Sequence, residues 1–322
     1  MAGADEAATG NFSYTPRLDL WQSEQQSIAR TFYLRSSLDL RYEQMGFRAD
    51  GFVTQELTED SKQSQERRRT KNSADLSELF WDGELRMDES AWALRLGRQP
   101  IRWSQSWTLP SLDFFTGRRA NRLFLEPLVD QLSHPDAAKL TYSNEFGEFE
   151  VVRVFGRSPT LMPHPFSNID RTDLRDIGLR ILVKSGGIDW TMLARHNEAR
   201  TDTGLLANYA FEDFVAKVEV GTSSLSERFL MFGTDWFLET VTLGPQITLL
   251  ETSTQVEGQL YIPFRYKFEQ WLIEVEHLQY LGSTELAKDH YSSLRIGCEV
   301  FDGGVISLGA QTYRGSNGRP LG

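Results

Sequence analysis

Between Phe32 and Glu43 the chain alternates apolar and polar side chains with a period of two, and nothing else in it constrains the fold as much. One row reads Phe32, Leu34, Ser36, Leu38, Leu40 and Tyr42; the other reads Tyr33, Arg35, Ser37, Asp39, Arg41 and Glu43. Successive side chains of a strand point to opposite faces, so the two rows occupy opposite sides of one strand. A charged row is costly inside a protein core, and a long apolar row is unwelcome in water. A closed barrel in lipid, apolar outside and wet inside, accommodates both.

The pattern recurs. Leu79, Trp81, Leu85 and Met87 oppose Glu78, Asp82, Glu84 and Arg86; Phe214, Ala216, Val218 and Val220 oppose Lys217, Glu219 and Gly221; Leu294, Ile296, Cys298 and Val300 oppose Arg295, Gly297 and Glu299. Seventeen strands are predicted, near 11–22, 31–45, 47–58, 75–88, 91–103, 137–145, 148–157, 174–185, 188–199, 205–211, 214–223, 228–242, 246–256, 260–268, 271–281, 291–301 and 305–313. The register is ambiguous around 148–157 and His277, where a bulge would shift it. A helical piece is expected only within 119–132.

The joins alternate in length. Tight turns are expected at Gly46, 88–90, Phe146-Gly147, Gly186-Gly187, Glu212-Asp213, Gly244-Pro245, Glu269-Gln270 and 302–304, where Gly and Asp supply turn-forming backbone. Between them fall the connections 23–30, 59–74, 104–136, 158–173, 200–204, 224–227, 257–259 and 282–290. Short turns on one rim and longer loops on the other is the outer-membrane arrangement, with the short side periplasmic. Closed bacterial barrels have an even strand count. The expectation is therefore an all-β, antiparallel up-and-down transmembrane barrel of about 18 strands, 17 visible and the last missing.

The 322 residues are read as one barrel domain, 1–322. A net charge of −11 argues against sequence-independent nucleic-acid binding. No run approaches the roughly 18 apolar residues of a membrane-spanning helix, which says nothing against barrel strands. The single cysteine, Cys298, forms no intrachain disulfide and reads as a small apolar residue. The start, Met1-Ala2-Gly3-Ala4-Asp5, lacks the basic and apolar regions of a signal peptide; the expectation is a mature exported form with an added start Met.

The most distinctive segment is Leu96-Gly97-Arg98-Gln99-Pro100-Ile101-Arg102-Trp103, followed by Trp107, Pro110, Asp113-Phe114-Phe115 and Arg118-Arg119. A strand ending in "GRQ…W" before a loop with "P…D-F-F" resembles the alginate-export barrels and related porin-like outer-membrane families, although Ser104 stands where those families often carry Gly. The resemblance implies an eighteen-stranded barrel conducting a polar or anionic solute, oligosaccharide or polysaccharide among them.

Residues 104–136 are too long for a simple connector and too apolar for a free loop, with Trp107, Leu112, Phe114, Phe115 and Phe124 among them. They are expected to fold into the lumen or over its mouth as a constriction or plug. Arg118, Arg119 and Arg122, with Asp113, Arg95 and Arg98, are the candidate pore-constriction and solute-binding residues, because guanidinium groups suit anions. Lumen-facing charges are expected at Arg35, Asp39, Arg41, Arg180, Lys184 and Arg295, among a larger mixed set that includes Arg195, Lys217 and Glu219. Such rows either form cross-strand ion pairs that stiffen a wet wall or set selectivity. The charged run Ser64–Lys71 is expected at a solvated external loop tip, with lipopolysaccharide phosphates as one contact.

The five histidines, at 134, 164, 196, 277 and 290, lack metal-ligand spacing, and no nucleophile or metalloprotease motif accompanies them. Neither an enzyme nor a cofactor is expected. The function expected is passive diffusion or export of small polar or anionic solutes across the outer membrane of a Gram-negative bacterium, with lipid bilayer and lipopolysaccharide as surroundings and no nucleic-acid partner. The alternative is a non-conducting barrel that anchors a partner protein, of unknown identity.

Overall fold

In a computed structural model, residues 9–22, 28–60, 67–105, 112, 114–115, 117–119, 132–156, 161–162, 176–198, 200–224, 227–251, 256–281, 290–301 and 304–314 are described. The strands in chain order are β1 (Thr9–Gln22), β2 (Ile28–Tyr42), β3 (Met45–Asp60), β4 (Arg67–Met87), β5 (Ser90–Arg98), β6 (Gly117–Arg119), β7 (Leu132–Ser133), β8 (Asp136–Asn144), β9 (Gly147–Gly156), β10 (Leu161–Met162), β11 (Ile177–Ser185), β12 (Ile188–His196), β13 (Thr201–Ala210), β14 (Phe214–Ser223), β15 (Arg228–Leu238), β16 (Val241–Leu243), β17 (Gln246–Glu251), β18 (Val256–Phe268), β19 (Trp271–Leu281), β20 (His290–Phe301) and β21 (Gly304–Arg314).

Among the described residues, eighteen of these segments form one sheet, and β6, β7 and β10 form a separate three-stranded one. Every pairing in the large sheet is antiparallel, each strand against its neighbour along the chain. Segments β16 and β17 both pair with β15 and with β18, so they are halves of one crossing, and 18 segments make 17 crossings. The first and last strands, β1 and β21, lie side by side, which brings the two edges of the sheet together. This is the all-β up-and-down barrel that the alternation predicts, but with 17 crossings among the described residues and β21 already beside β1, so the eighteenth strand expected from even parity has no place between them.

Burial is inverted relative to a soluble protein. Arg195, Asp202 and Glu219 are each 1% exposed, whereas Leu85 is 55% and Phe232 53% exposed. Along β15, Phe229 and Met231 are buried while Leu230 and Phe232 are exposed, and β17 alternates in the same way. The charged row lines the inside and the apolar row covers the outside, as a hydrocarbon surround requires. Near the short turns the outer surface is aromatic. Tyr209, Phe211, Phe214 and Trp236 follow one another at ring-centroid distances of 4.3, 4.2 and 4.9 Å, and Trp92 meets Tyr142 at 4.8 Å. Amphipathic rings favour the membrane–water boundary.

The short rim is closed by two- and three-residue turns. Glu43, Asp88, Glu239 and Glu269 take φ of 50°, 47°, 38° and 51°, and Gly186 and Gly187 take 62° and 78°. These are the left-handed positions that match the twist of paired strands. Two turns differ from expectation by more than one position, and that expected at Phe146-Gly147 lies at Glu145-Phe146. The first lies at Glu43-Gln44, and Gly46 belongs to β3, where a side chain would run into the Asp82 carboxylate. The other lies at Glu239-Thr240; Gly244-Pro245 only interrupts a strand, because proline has no N–H for the ladder. Around that gap Thr234 N still donates to the Pro245 carbonyl (3.0 Å) and Gly244 N to that of Pro263 (3.1 Å).

Four further expectations change. Of the connections expected at 200–204 and 257–259, residues 201–204 and 257–259 are strand, within β13 and β18, so the long-side joins there are shorter than expected. The strand expected to reach Trp103 ends at Arg98, because Pro100 has no N–H with which to extend the ladder. The run Arg67–Lys71 is the start of β4, not part of a loop; β3 and β4 continue as a hairpin in which Asp60 faces Arg67 and Glu59 faces Arg68 in register. Of the expected helix, only residues 119 and 132 are described, and both are strand; the remainder lies outside the described residues. The ladder shifts register at Asp50/Gly51, Asp136/Ala137 and Glu299/Phe301.

Candidate functional site

The chain leaves the wall at Gln99 and rejoins it at Asp136. The stem of this excursion is fastened. Arg98 Nε donates to Asp136 Oδ1 (3.0 Å), and Arg98 Nη1 to the Leu76 carbonyl (3.1 Å). Gln99 N donates to the Pro135 carbonyl (3.1 Å) and Gln99 Nε2 to that of Ala137 (2.8 Å).

Beyond the stem the segment enters the lumen and lies on the inner wall. Trp103 Nε1 donates to Glu150 Oε1 on β9 (2.6 Å). Ser104 Oγ donates to Glu219 Oε2 on β14 (2.7 Å), and Gln105 N donates to the other oxygen of the same carboxylate. Further along, the Phe114 carbonyl accepts from Arg195 Nη1 on β12 (2.8 Å). Trp103 meets Phe115 edge to face at 4.9 Å. Ile101, Trp103, Leu112, Phe114 and Phe115 join wall residues Val152, Val154, Leu193, Leu206, Phe229, Met231 and Leu250 in one buried apolar cluster.

The wall is shaped to receive these side chains. A Cβ on Gly178 would fall 2.3 Å from the Phe115 ring and 2.4 Å from that of Trp103; on Gly204 or Gly221 it would fall 2.7 or 2.6 Å from Leu112. Burying one such large apolar side chain contributes roughly 1.5–3 kcal/mol, and a hydrogen bond to a charged group about 1.5–3 kcal/mol. Five buried side chains and four hydrogen bonds to carboxylate or guanidinium groups therefore hold this stretch as part of the wall.

Around it the lumen charges form pairs. Arg195 Nη2 lies 2.6 Å from Asp202 Oδ2, Arg200 Nη2 lies 2.6 Å from Asp202 Oδ1, and Arg200 reaches Glu227 at 3.3 Å. Asn197 Nδ2 donates to Asp176 Oδ1 (2.7 Å). Toward the short turns, Lys217 pairs with Asp235 and Arg180 with Glu148. Lys139 lies 3.2 Å from Glu150, and Arg48 lies 3.0 Å from Glu78. Glu274 bridges Arg265 (2.6 Å) and Arg295 (3.0 Å) across three adjacent strands.

The residues singled out from sequence fall in different places. Arg95 lies over the Phe80 ring, 4.2 Å from its centroid. Arg98 shares the parity of Leu94 and Leu96 and serves the stem. Arg118 and Arg119 belong to β6, whose backbone pairs with Leu161–Met162 and Leu132–Ser133 and so ties the segment to the connection after β9. Asp113 and Arg122 lie outside the described residues. Asp39 pairs with Arg41 (3.4 Å), Lys184 is exposed beside the Gly186-Gly187 turn, and the side chain of Arg35 lies outside the described set. Sequence reasoning did not assign Glu150, Glu219, Arg195 and Asp202 to holding the segment. One signal was present: Phe229-Leu230-Met231-Phe232 is apolar on both faces, so its inner face needs a dry partner.

No protein-family model matches the chain, and no curated protein matches it in sequence. Solved structures are similar in fold. OccK7 (OpdD) of Pseudomonas aeruginosa aligns with a TM-score of 0.58 at 12% identity, covering 95% of this chain and 92% of that one. OccAB3 of Acinetobacter baumannii aligns at 0.56 and 11%, covering 98% and 93%. A mutant of the Rh. blastica porin aligns at 0.50 and 10%, covering 90% and 99%. At such identities the likeness establishes the barrel fold.

Proposed function

We propose that this barrel is a passive channel of a Gram-negative outer membrane for small polar or anionic solutes, its bore narrowed by the segment between β5 and β8. The observation that carries the proposal is the inverted wall. Arg195, Asp202 and Glu219 are buried inside while Leu85 and Phe232 face outward. Ionic groups cost least where a lumen supplies water and counter-charges. The fold likeness to a porin, by that protein's name, supports the same reading.

The lumen charges supply preference and the packed segment supplies size selection. Arg95, Arg118, Arg119, Arg122 and Asp113 are proposed to act at or near the constriction and Arg98 through the stem it fastens, with Arg35, Asp39, Arg41, Arg180, Lys184 and Arg295 shaping the field along the bore. Passage of an oligosaccharide or polysaccharide is the finer version, and the resemblance of residues 96–119 to alginate-export barrels is its support.

The test is reconstitution in planar bilayers. Stepwise conductance with a reversal potential displaced from zero in a salt gradient is expected. A folded, inserted barrel that passes neither ions nor small sugars would refute the proposal and leave an anchor for a partner as the reading.

A further inference from the structure

On β19 and β20 the outward face changes character at one level. Trp271, Leu294 and Ile296 stand exposed on that face, and His277 shares the parity of Trp271 while His290 and Ser292 share that of Leu294. The register line Val275, Leu294, Ala310 is apolar; the next line toward the long-connection end is His277, Ser292, Thr312, and the one after it Gln279, His290, Arg314. The acids of β19 lie on the other face. Glu274 bridges Arg265 and Arg295, and Glu276 accepts from the Tyr261 hydroxyl at 3.0 Å. Two imidazoles therefore stand together on the outer wall without a carboxylate of their own strand beside them. Ionisable groups on a wall that faces lipid are costly, which makes such a placement a candidate for a role.

The hairpin register, not their spacing in sequence, brings the two histidines together: His277 is directly opposite Ser292 and diagonal to His290. His277 Nδ1 lies 2.8 Å from Ser292 Oγ. With Nδ1–H donating to that hydroxyl, Nε2 carries the lone pair, which is how metal-ligating imidazoles are held by their surroundings. The two ring centroids are 6.4 Å apart and the ring planes are inclined by 33°. A metal–nitrogen bond of about 2.1 Å places an ion roughly 3 Å from each ring centre, so rings at this separation reach one ion between them. Among the described residues no group of three or more His, Cys, Asp or Glu is placed to hold a metal, so water completes the coordination. We propose that His277 and His290 form a two-imidazole site for a late first-row divalent cation, copper(II) or zinc, with Ser292 as a positioning residue. Imidazole suits these ions, whereas magnesium and calcium take oxygen ligands. The ion clips β19 to β20 near Leu281 and His290, where the chain leaves one strand and enters the other. The site is separate from conduction because both rings face away from the bore.

The experiment titrates the full chain, folded in detergent and free of any affinity tag, with copper(II) read by electron paramagnetic resonance and with zinc read by calorimetry. Saturation at one ion per chain is expected, with hyperfine splitting from two imidazole nitrogens and copper bound more tightly than zinc. H277A and H290A are each expected to leave one nitrogen in the spectrum and to weaken binding by at least about tenfold. S292A is expected to weaken it by about tenfold, and S292T, which keeps the hydroxyl, to restore it. H196A, which alters a histidine on β12, is expected to bind as the wild type does. Heat-modifiable gel mobility confirms that each variant is folded. A wild-type spectrum without two nitrogens overturns the site, and it does so without any variant. Binding that survives in H277A/H290A overturns it as well, as does an equal loss in H196A. S292A that binds like the wild type removes Ser292 from the site.

Discussion

Arg195 on β12 donates to the backbone carbonyl of Phe114, 81 positions earlier in the chain, at 2.8 Å. The same guanidinium is 1% exposed and faces Asp202 at 2.6 Å. One side chain therefore joins the ionic wall to the segment that lies across it, and its removal disturbs both.

Replacing Arg195 with methionine removes the donor to Phe114 and leaves Asp202 with Arg200 as partner. Breaking a buried pair costs on the order of 3–5 kcal/mol. The expected result is a folded barrel of lower unfolding temperature with larger and noisier single-channel conductance. Conductance identical to the wild type would show that the segment does not narrow the bore.

Glu219 accepts from both Ser104 and Gln105, and glutamine retains one acceptor oxygen where alanine retains none. E219A is expected to make the chain between residues 105 and 132 sensitive to limited proteolysis, with E219Q intermediate. Equal resistance in all three proteins would contradict the assigned contact. A parallel loss of about 1.5–3 kcal/mol is expected for Trp103→Phe, which deletes the donor to Glu150.

Gly204 and Gly221 leave space for Leu112. Valine at either position overfills that space, at a cost of about 1–3 kcal/mol. The double variant G221V with Leu112→Ala is expected to recover stability, since the added methyls occupy the vacated volume. Thermal unfolding of the single and double variants measures this, and failure of rescue would place Leu112 elsewhere.

Phe232 is exposed on the outer face near the middle of β15. Aspartate there opposes hydrocarbon, at a cost of up to about 2–4 kcal/mol that depends on depth. Assembly into liposomes, read as the fraction resisting unfolding in cold detergent gels, is expected to drop sharply. Asp39→Asn on the inner row is expected to assemble normally and to alter ion preference slightly. Similar assembly of the two variants would reverse the assignment of faces.

Much of the wall was legible because its pattern is local. Phe214 to Gly221 states its own two faces, and the acid and glycine positions at 88–89 and 186–187 state their turns. Gly46 and Gly244 misled because glycine serves close packing and strand interruption as readily as turns. The packed segment was legible as too apolar to be free, but its partners were not. Trp103 meets Glu150 47 positions away and Ser104 meets Glu219 115 positions away, separations at which no periodicity carries information. The inner apolar cluster broke the rule that inward means ionic, and it did so where the segment lies, at Leu193, Leu206 and Met231.

The claim on which the account depends is that β4 carries water on one face and lipid on the other. Nitroxide labels placed singly at 81 to 86, in a background with Cys298 replaced by serine, test it through collisions with dissolved oxygen and with a nickel chelate. Oxygen is expected to dominate at Trp81, Gly83 and Leu85, and nickel at Asp82, Glu84 and Arg86, with the two profiles alternating out of phase. Profiles in phase, or nickel access at Trp81 and Leu85 equal to that at Asp82 and Glu84, would contradict it.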